Sequence, residues 1–179
     1  MINTYGFLIG SVFGSLLYRF IAREKGFSFF YFCLGGLMAI ATLQQDTLFL
    51  LAILYSALFL MAVIDHHYMM IPDSLQLVFL AVAFWDIHSA QSLFGAFIMF
   101  ALTYMSDKIV NEGIGGGDIK FLIITGFYLG PSHTSLILLL ASSLALLMLL
   151  FKKQNKQEPF PFGPYLILAF FIVKELVIF

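Results

Sequence analysis

The feature that most limits what this chain can fold into is the length of its apolar runs. Residues 4–21, 27–43, 48–64, 74–87, 90–106, 133–151 and 164–179 are each dominated by apolar side chains, with short polar breaks between them. A helix that crosses a bilayer needs about 20 such residues, with a range of ~17–25. Several runs fall at or below the short end, so the bilayer thins there or the polar ends snorkel. Residues 118–130 form one more apolar segment, ending at Gly130-Pro131. It is too short to cross alone and is expected to lie buried among the others. Charged residues are 11% of the chain and apolar ones 61%, whereas a soluble domain carries roughly 25% charged residues. The expectation is an all-α, polytopic transmembrane helix bundle of about eight spans, some short, making a single domain over residues 1–179.

Further details sharpen this reading. Gly6, Gly10 and Gly14 recur every four residues beside Ser11 and Ser15, a small-residue face suited to close helix packing in lipid. The first run lacks the basic start and cleavage site of a secretory signal and reads as a retained span. The single cysteine, Cys33, lies in an apolar run, which excludes an internal disulfide and a CxxC zinc site. The net charge of −1 gives no sign of a nucleic-acid partner.

Basic residues set the orientation. The loops around 19–26, 65–73, 107–120 and 152–158 hold Arg19, Arg23, Lys25, Lys108, Lys120, Lys152, Lys153 and Lys156, leaving only Lys174 elsewhere. The positive-inside rule makes that side cytoplasmic. Two spans separate Asp65 from Asp118, so both fall on one face whichever way the bundle inserts.

Ionisable residues at membrane depth are costly and are functional candidates by default. Asp118 follows Gly115-Gly116-Gly117, and Asp65 opens the sequence Asp-His-His-Tyr-Met-Met-Ile-Pro-Asp. Two carboxyls brought close share a proton, because both cannot ionise cheaply. The ionised one activates a water and the protonated one polarises a peptide carbonyl, which is acid–base hydrolysis without metal or cofactor. Asp65 and Asp118 are therefore the candidate catalytic pair. Gly115, Gly116 and Gly117 are candidates for substrate binding, since they admit a peptide backbone and tolerate positive φ. Asp118 as a plain N-cap after a flexible loop is equally compatible with the spacing. Lys120 is a candidate for substrate binding, for stabilising the carboxyl pair or for holding lipid phosphate, or is simply a residue that sets topology. Asp73 after Pro72 reads as a helix cap. His66 and His67 read as interfacial rather than as metal ligands. A membrane transporter driven by ions or protons, or a subunit of one, is the alternative from another class, although the paired broken-helix repeats of transporters are not evident.

The motifs resemble those of the type IV prepilin peptidases. Gly115 to Lys120 is similar to the family's GxGDxK signature, and Asp65 followed by Pro72-Asp73 resembles its first aspartate motif. Pro161-Phe162-Gly163-Pro164 is similar to the family's PFGP, and Gly10-Ser11 with Tyr18-Arg19 to its N-terminal stretch. The resemblance implies a membrane aspartyl endopeptidase that removes short basic leaders from prepilins or pseudopilins at the cytoplasmic face of the inner membrane. It implies that Asp65 and Asp118 are the catalytic pair and that Asp73 is not one of them. Many members carry an insert with two CxxC pairs after the first span and also N-methylate the new terminus. Here only a few residues around Arg23 to Gly26 stand in its place, and Gly14 occupies the position of the usual asparagine. Cleavage without zinc or methyl transfer is the expectation.

Overall fold

The computed structural model describes residues 48–85, 91–110, 115–152 and 160–175, together with the single positions 12 and 35. These residues form five helices: α1 (Leu48–Tyr68), α2 (Asp73–Trp85), α3 (Gln91–Val110), α4 (Gly116–Lys152) and α5 (Gly163–Val173). No strand occurs among the described residues, in keeping with the all-α expectation. The segments expected at 4–21 and 27–43 lie outside the described residues, as do the polar stretches at 44–47 and 153–158. Two of the five helices contain stretches long and apolar enough to cross a membrane, Leu50–Tyr68 and Gly116–Phe151; α2, α3 and α5 supply shorter apolar segments. The described residues therefore account for five helices rather than about eight separate spans.

One boundary differs from the sequence expectation. The third apolar run was expected to end at residue 64, but α1 continues to Tyr68, so Asp65 sits within its last turn rather than in a loop. The helix stops where Met69 takes a left-handed conformation, φ 54°. Its N–H donates to the Asp65 carbonyl at 2.9 Å, closing the helix as left-handed caps do. Pro72 then precedes α2, whose Gln76 N–H donates to the Pro72 carbonyl at 3.2 Å.

Residues 118–130 and 133–151, expected as two segments, are two helical stretches of α4 divided at Gly130, whose backbone is non-helical (φ 79°, ψ 172°), ahead of Pro131. Glycine adopts positive φ without steric cost, and proline cannot donate to the preceding turn. The hydroxyls just after the break bond back onto their own helix. Thr134 and Ser135 hydroxyls donate to the carbonyls of Gly130 and Pro131, each at 2.8 Å. Hydroxyls bonded back in this way keep their polar atoms satisfied without water, as an apolar setting requires.

The core forms where α1, α2, α5 and the first part of α4 meet. Phe79 of α2 lies 5.4 Å from both Phe121 of α4 and Phe170 of α5, centroid to centroid, and all three are fully buried. The pair with Phe170 is edge-to-face, a favoured aromatic geometry. α3 joins through a crossing of bare backbone. A Cβ built on Gly95 would lie 2.1 Å from the Gly126 carbonyl oxygen, so no side chain fits there. The outer sides of α3 and of the later part of α4 expose Phe94, Phe97, Leu139, Leu146 and Leu150. Apolar exposure on this scale marks a surface that meets something other than water.

α5 is held to α1 at its far end by polar groups. Lys174, 2% exposed, donates to the Tyr55 hydroxyl at 3.1 Å, and that hydroxyl donates to the Glu175 carboxylate. Lys174 and Glu175 are also within 3.5 Å of each other.

Candidate active site

Asp65 and Asp118 come from opposite ends of their helices. Asp65 lies in the last turn of α1 and Asp118 in the first turn of α4. With α2 and α3 between them, the chain returns to the same face, and both aspartates line one cavity of about 650 Å³. Its walls include Met69, Met99, Leu102, Thr103, Ser106 and Phe162. Sites that bury most of a small ligand span roughly 300–1,000 Å³ and combine apolar walls with a few convergent polar groups. This cavity has that size and character.

The two carboxyls have different surroundings. Asp65 is buried, and its Oδ2 accepts the backbone N–H of Gly163 at 2.9 Å. Asp118 Oδ1 is buried and has no hydrogen-bond partner among the described residues. Asp118 therefore does not act as a helix cap through that oxygen. A buried oxygen without a partner costs free energy, and such atoms in native structures call for a functional reason or a bound solvent molecule.

The glycines do not use the positive φ open to them. Gly116 and Gly117 belong to the first turn of α4, and none of Gly115, Gly116 and Gly117 has positive φ; among described glycines only Gly130 does. What they provide is space. Gly115 lines the aspartate cavity, and a Cβ there would stand 3.3 Å from Asp118 Oδ2. Gly116 faces open space, and a Cβ on Gly117 would meet Ile71 at 3.0 Å.

Lys120 is not among the residues lining that cavity. It donates to Asp73 Oδ1 at 2.7 Å, with both side chains exposed, and the pair sits at a second groove of about 560 Å³ that includes Phe84 and Phe127. Asp73 does begin α2, but its carboxylate is engaged across to α4 by this ion pair. His66 and His67 stack edge-to-face at 5.2 Å. No group of three or more His, Cys, Asp or Glu residues that could hold a metal occurs among the described residues.

Two contributors were missed in the sequence. Gln76, 3% exposed, donates from Nε2 to the Gly117 carbonyl at 3.0 Å and so ties α2 to the glycine stretch. A lone amide in an otherwise apolar helix was the available signal. The other is Gly163, noticed in the sequence only as part of a motif.

The fold and this cavity define an all-helical protein with two convergent carboxyls at one end of an apolar bundle. Comparison with known proteins adds the family. Residues 52–150, more than half of the chain, match the type IV leader peptidase family, and the chain belongs to it. A prepilin leader peptidase/N-methyltransferase of Vibrio cholerae serotype O1 is 30% identical over 138 residues, covering 70% of this chain and 54% of that protein. Leader peptidase HopD of Escherichia coli is 35% identical over 94 residues, covering 47% of this chain and 61% of its own length. A prepilin leader peptidase/N-methyltransferase of Bacillus subtilis is 31% identical over 127 residues, covering 65% and 51%. The chain thus spans about half the length of curated relatives it matches. No solved structure matches it. The family and the apolar helices together make this an integral membrane protein.

Proposed function

We propose that this protein is an aspartyl endopeptidase that removes the short basic leader from a type IV prepilin or pseudopilin, with Asp65 and Asp118 as its catalytic pair. The observation that carries the reading is that these two carboxyls, far apart in sequence, line one cavity. In the reaction, the ionised carboxylate takes a proton from water as its oxygen bonds to the scissile carbonyl carbon. The protonated carboxyl donates to the carbonyl oxygen. The C–N bond of the resulting diol then breaks: the leaving amine takes up the proton held by the first carboxyl, and one diol hydroxyl returns its proton to the second as the new carboxyl group forms. Gly115 leaves the approach to Asp118 free of side chains, and Gly116 and Gly117 keep the adjoining helix start narrow for the substrate backbone. The family assignment favours hydrolysis over transport.

The same reading sets the topology. α4 supplies two crossings divided at Gly130, and α1, α2, α3 and α5 supply one each. The sequence expects two more at 4–21 and 27–43, giving about eight. The aspartate end faces the cytoplasm of the inner membrane, on the side rich in Lys and Arg. The test is co-expression with prepilins and pseudopilins while watching for the mass loss of a leader. Cleavage lost in both Asp65→Asn and Asp118→Asn supports the pair. Cleavage retained in either variant overturns it.

A further inference from the structure

The first turn of α5 shows where its backbone donors go from Gly163 onward. Helix starts leave N–H groups without partners inside the helix. In α5 the second residue, Pro164, has no N–H to satisfy. Tyr165 and Leu166 N–H groups both donate to the Phe162 carbonyl, each at 3.1 Å. That leaves the Gly163 N–H, and it donates to Asp65 Oδ2 across 98 residues of sequence. The helix dipole at this end also favours a carboxylate.

Gly163 is confined by the same contact. A Cβ at this position would lie 2.7 Å from Asp65 Oδ2, 2.9 Å from its Cγ and 3.1 Å from its Cβ. Gly163 is itself buried, and Asp65 is 6% exposed, so neither can swing aside into solvent. At the other end of α5, Lys174 and Glu175 grip Tyr55 of α1. Eleven residues separate Gly163 from Lys174, and ten separate Tyr55 from Asp65. At 1.5 Å rise per residue the two intervals nearly match, so the two helices run antiparallel and are fastened at both ends.

We propose that Gly163 is a positioning residue for catalysis: its N–H fixes the Asp65 carboxyl in the cavity facing Asp118, and its bare Cα is what allows the carboxyl to come that close. This rests on the reading of Asp65 and Asp118 as the catalytic pair. It assigns the Pro161–Pro164 sequence a task in the chemistry, because Phe162 and Pro164 account for the neighbouring donors and leave this one N–H for Asp65. A misplaced reacting group of about 1 Å costs on the order of a hundredfold in rate.

Two variants separate bulk from hydrogen bonding. Gly163→Ala adds the excluded Cβ. Replacing the residue with glycolic acid by ester suppression removes the N–H and adds no atoms at Cα. Each full-length protein is assayed in membranes on a reporter with a short basic leader ending in glycine before an apolar helix. We expect kcat to fall about a hundredfold in Gly163→Ala and at least tenfold in the ester, with KM within threefold and the ester's thermal midpoint close to that of the unaltered protein. Unchanged kcat in the ester variant, or a fall in kcat matched by loss of folded protein, overturns the inference. Asp65→Asn and Asp118→Asn run alongside. If they still cleave, the catalytic pair itself is wrong; if they are inactive while the ester variant is fully active, only the role of Gly163 fails.

Discussion

At the scale of single residues, the site separates side chains that face the cavity from those that only accompany it in sequence. Asp65→Asn and Asp118→Asn should each lower leader cleavage by at least a hundredfold, the range expected for loss of an acid–base group, with unchanged amounts of protein in membranes. Lys120 and Asp73 present the opposite case. Their ion pair is exposed on both sides, and exposed pairs contribute roughly 0–1 kcal/mol. Lys120→Ala and Asp73→Asn should therefore retain cleavage within a few fold, measured as kcat/KM on a prepilin reporter. A severe loss in Lys120→Ala would return that lysine to the substrate path. Asp65 and Asp118 were legible in the sequence because carboxyls in apolar surroundings have few explanations. Gly163 was not, because a backbone N–H has no letter of its own; its role depends on a partner 98 residues away.

At the scale of helices, two contacts carry most of the arrangement around the cavity. The first is the bare crossing of α3 and α4. Gly126 would place a Cβ 2.7 Å from the Gly95 carbonyl oxygen, so Gly126→Val must push the helices apart. Overpacking typically costs about 1–3 kcal/mol, and contact with backbone puts this site at the upper end. The check is a lower thermal midpoint in detergent, with residual cleavage falling in step because Met99 and Thr103 of α3 line the cavity. The second contact is the buried cluster of Tyr55, Lys174 and Glu175. Removing one partner of a buried pair costs about 3–5 kcal/mol, while replacing both with apolar residues is often neutral. Lys174→Met alone should destabilise strongly, and Lys174→Met combined with Glu175→Leu should recover most of the loss. Helix type was legible here from apolar run length alone. Helix ends were less so: α1 runs past its expected end to carry Asp65, whereas the break at Gly130-Pro131 falls where the sequence placed it.

At the scale of the whole molecule, the arrangement sets sidedness and chemistry together. Cysteines introduced at Met70 and Asn155 of a Cys33→Ser protein should be labelled only from the cytoplasm in intact cells. External labelling at either position reverses the orientation and with it the face where leaders are cut. Cleavage should also persist in a strong chelator, and a purified product incubated with a methyl donor should weigh as the unmodified mature pilin. A chelator-sensitive reaction or a product heavier by one methyl group would contradict a reaction run by two carboxyls alone. The overall bundle was readable because lipid imposes one rule on every segment. Which segments meet was not, because apolar faces of similar composition offer little to choose between neighbours; glycine crossings and a few polar contacts make that choice.

The cluster at Lys174 bears on how the protein is made. The α-helical part of α5 has eleven residues, and the helix widens at Lys174 and Glu175 rather than stopping there. A lysine near the middle of a crossing adds roughly 2.5–3.5 kcal/mol to its insertion. Released by itself into lipid, this segment is a poor recruit for the translocation machinery. Its receptor, the Tyr55 hydroxyl on α1, leaves the ribosome more than a hundred residues earlier. Asp65 therefore gains its Gly163 partner only when a lysine-bearing segment meets a helix already waiting in the bilayer.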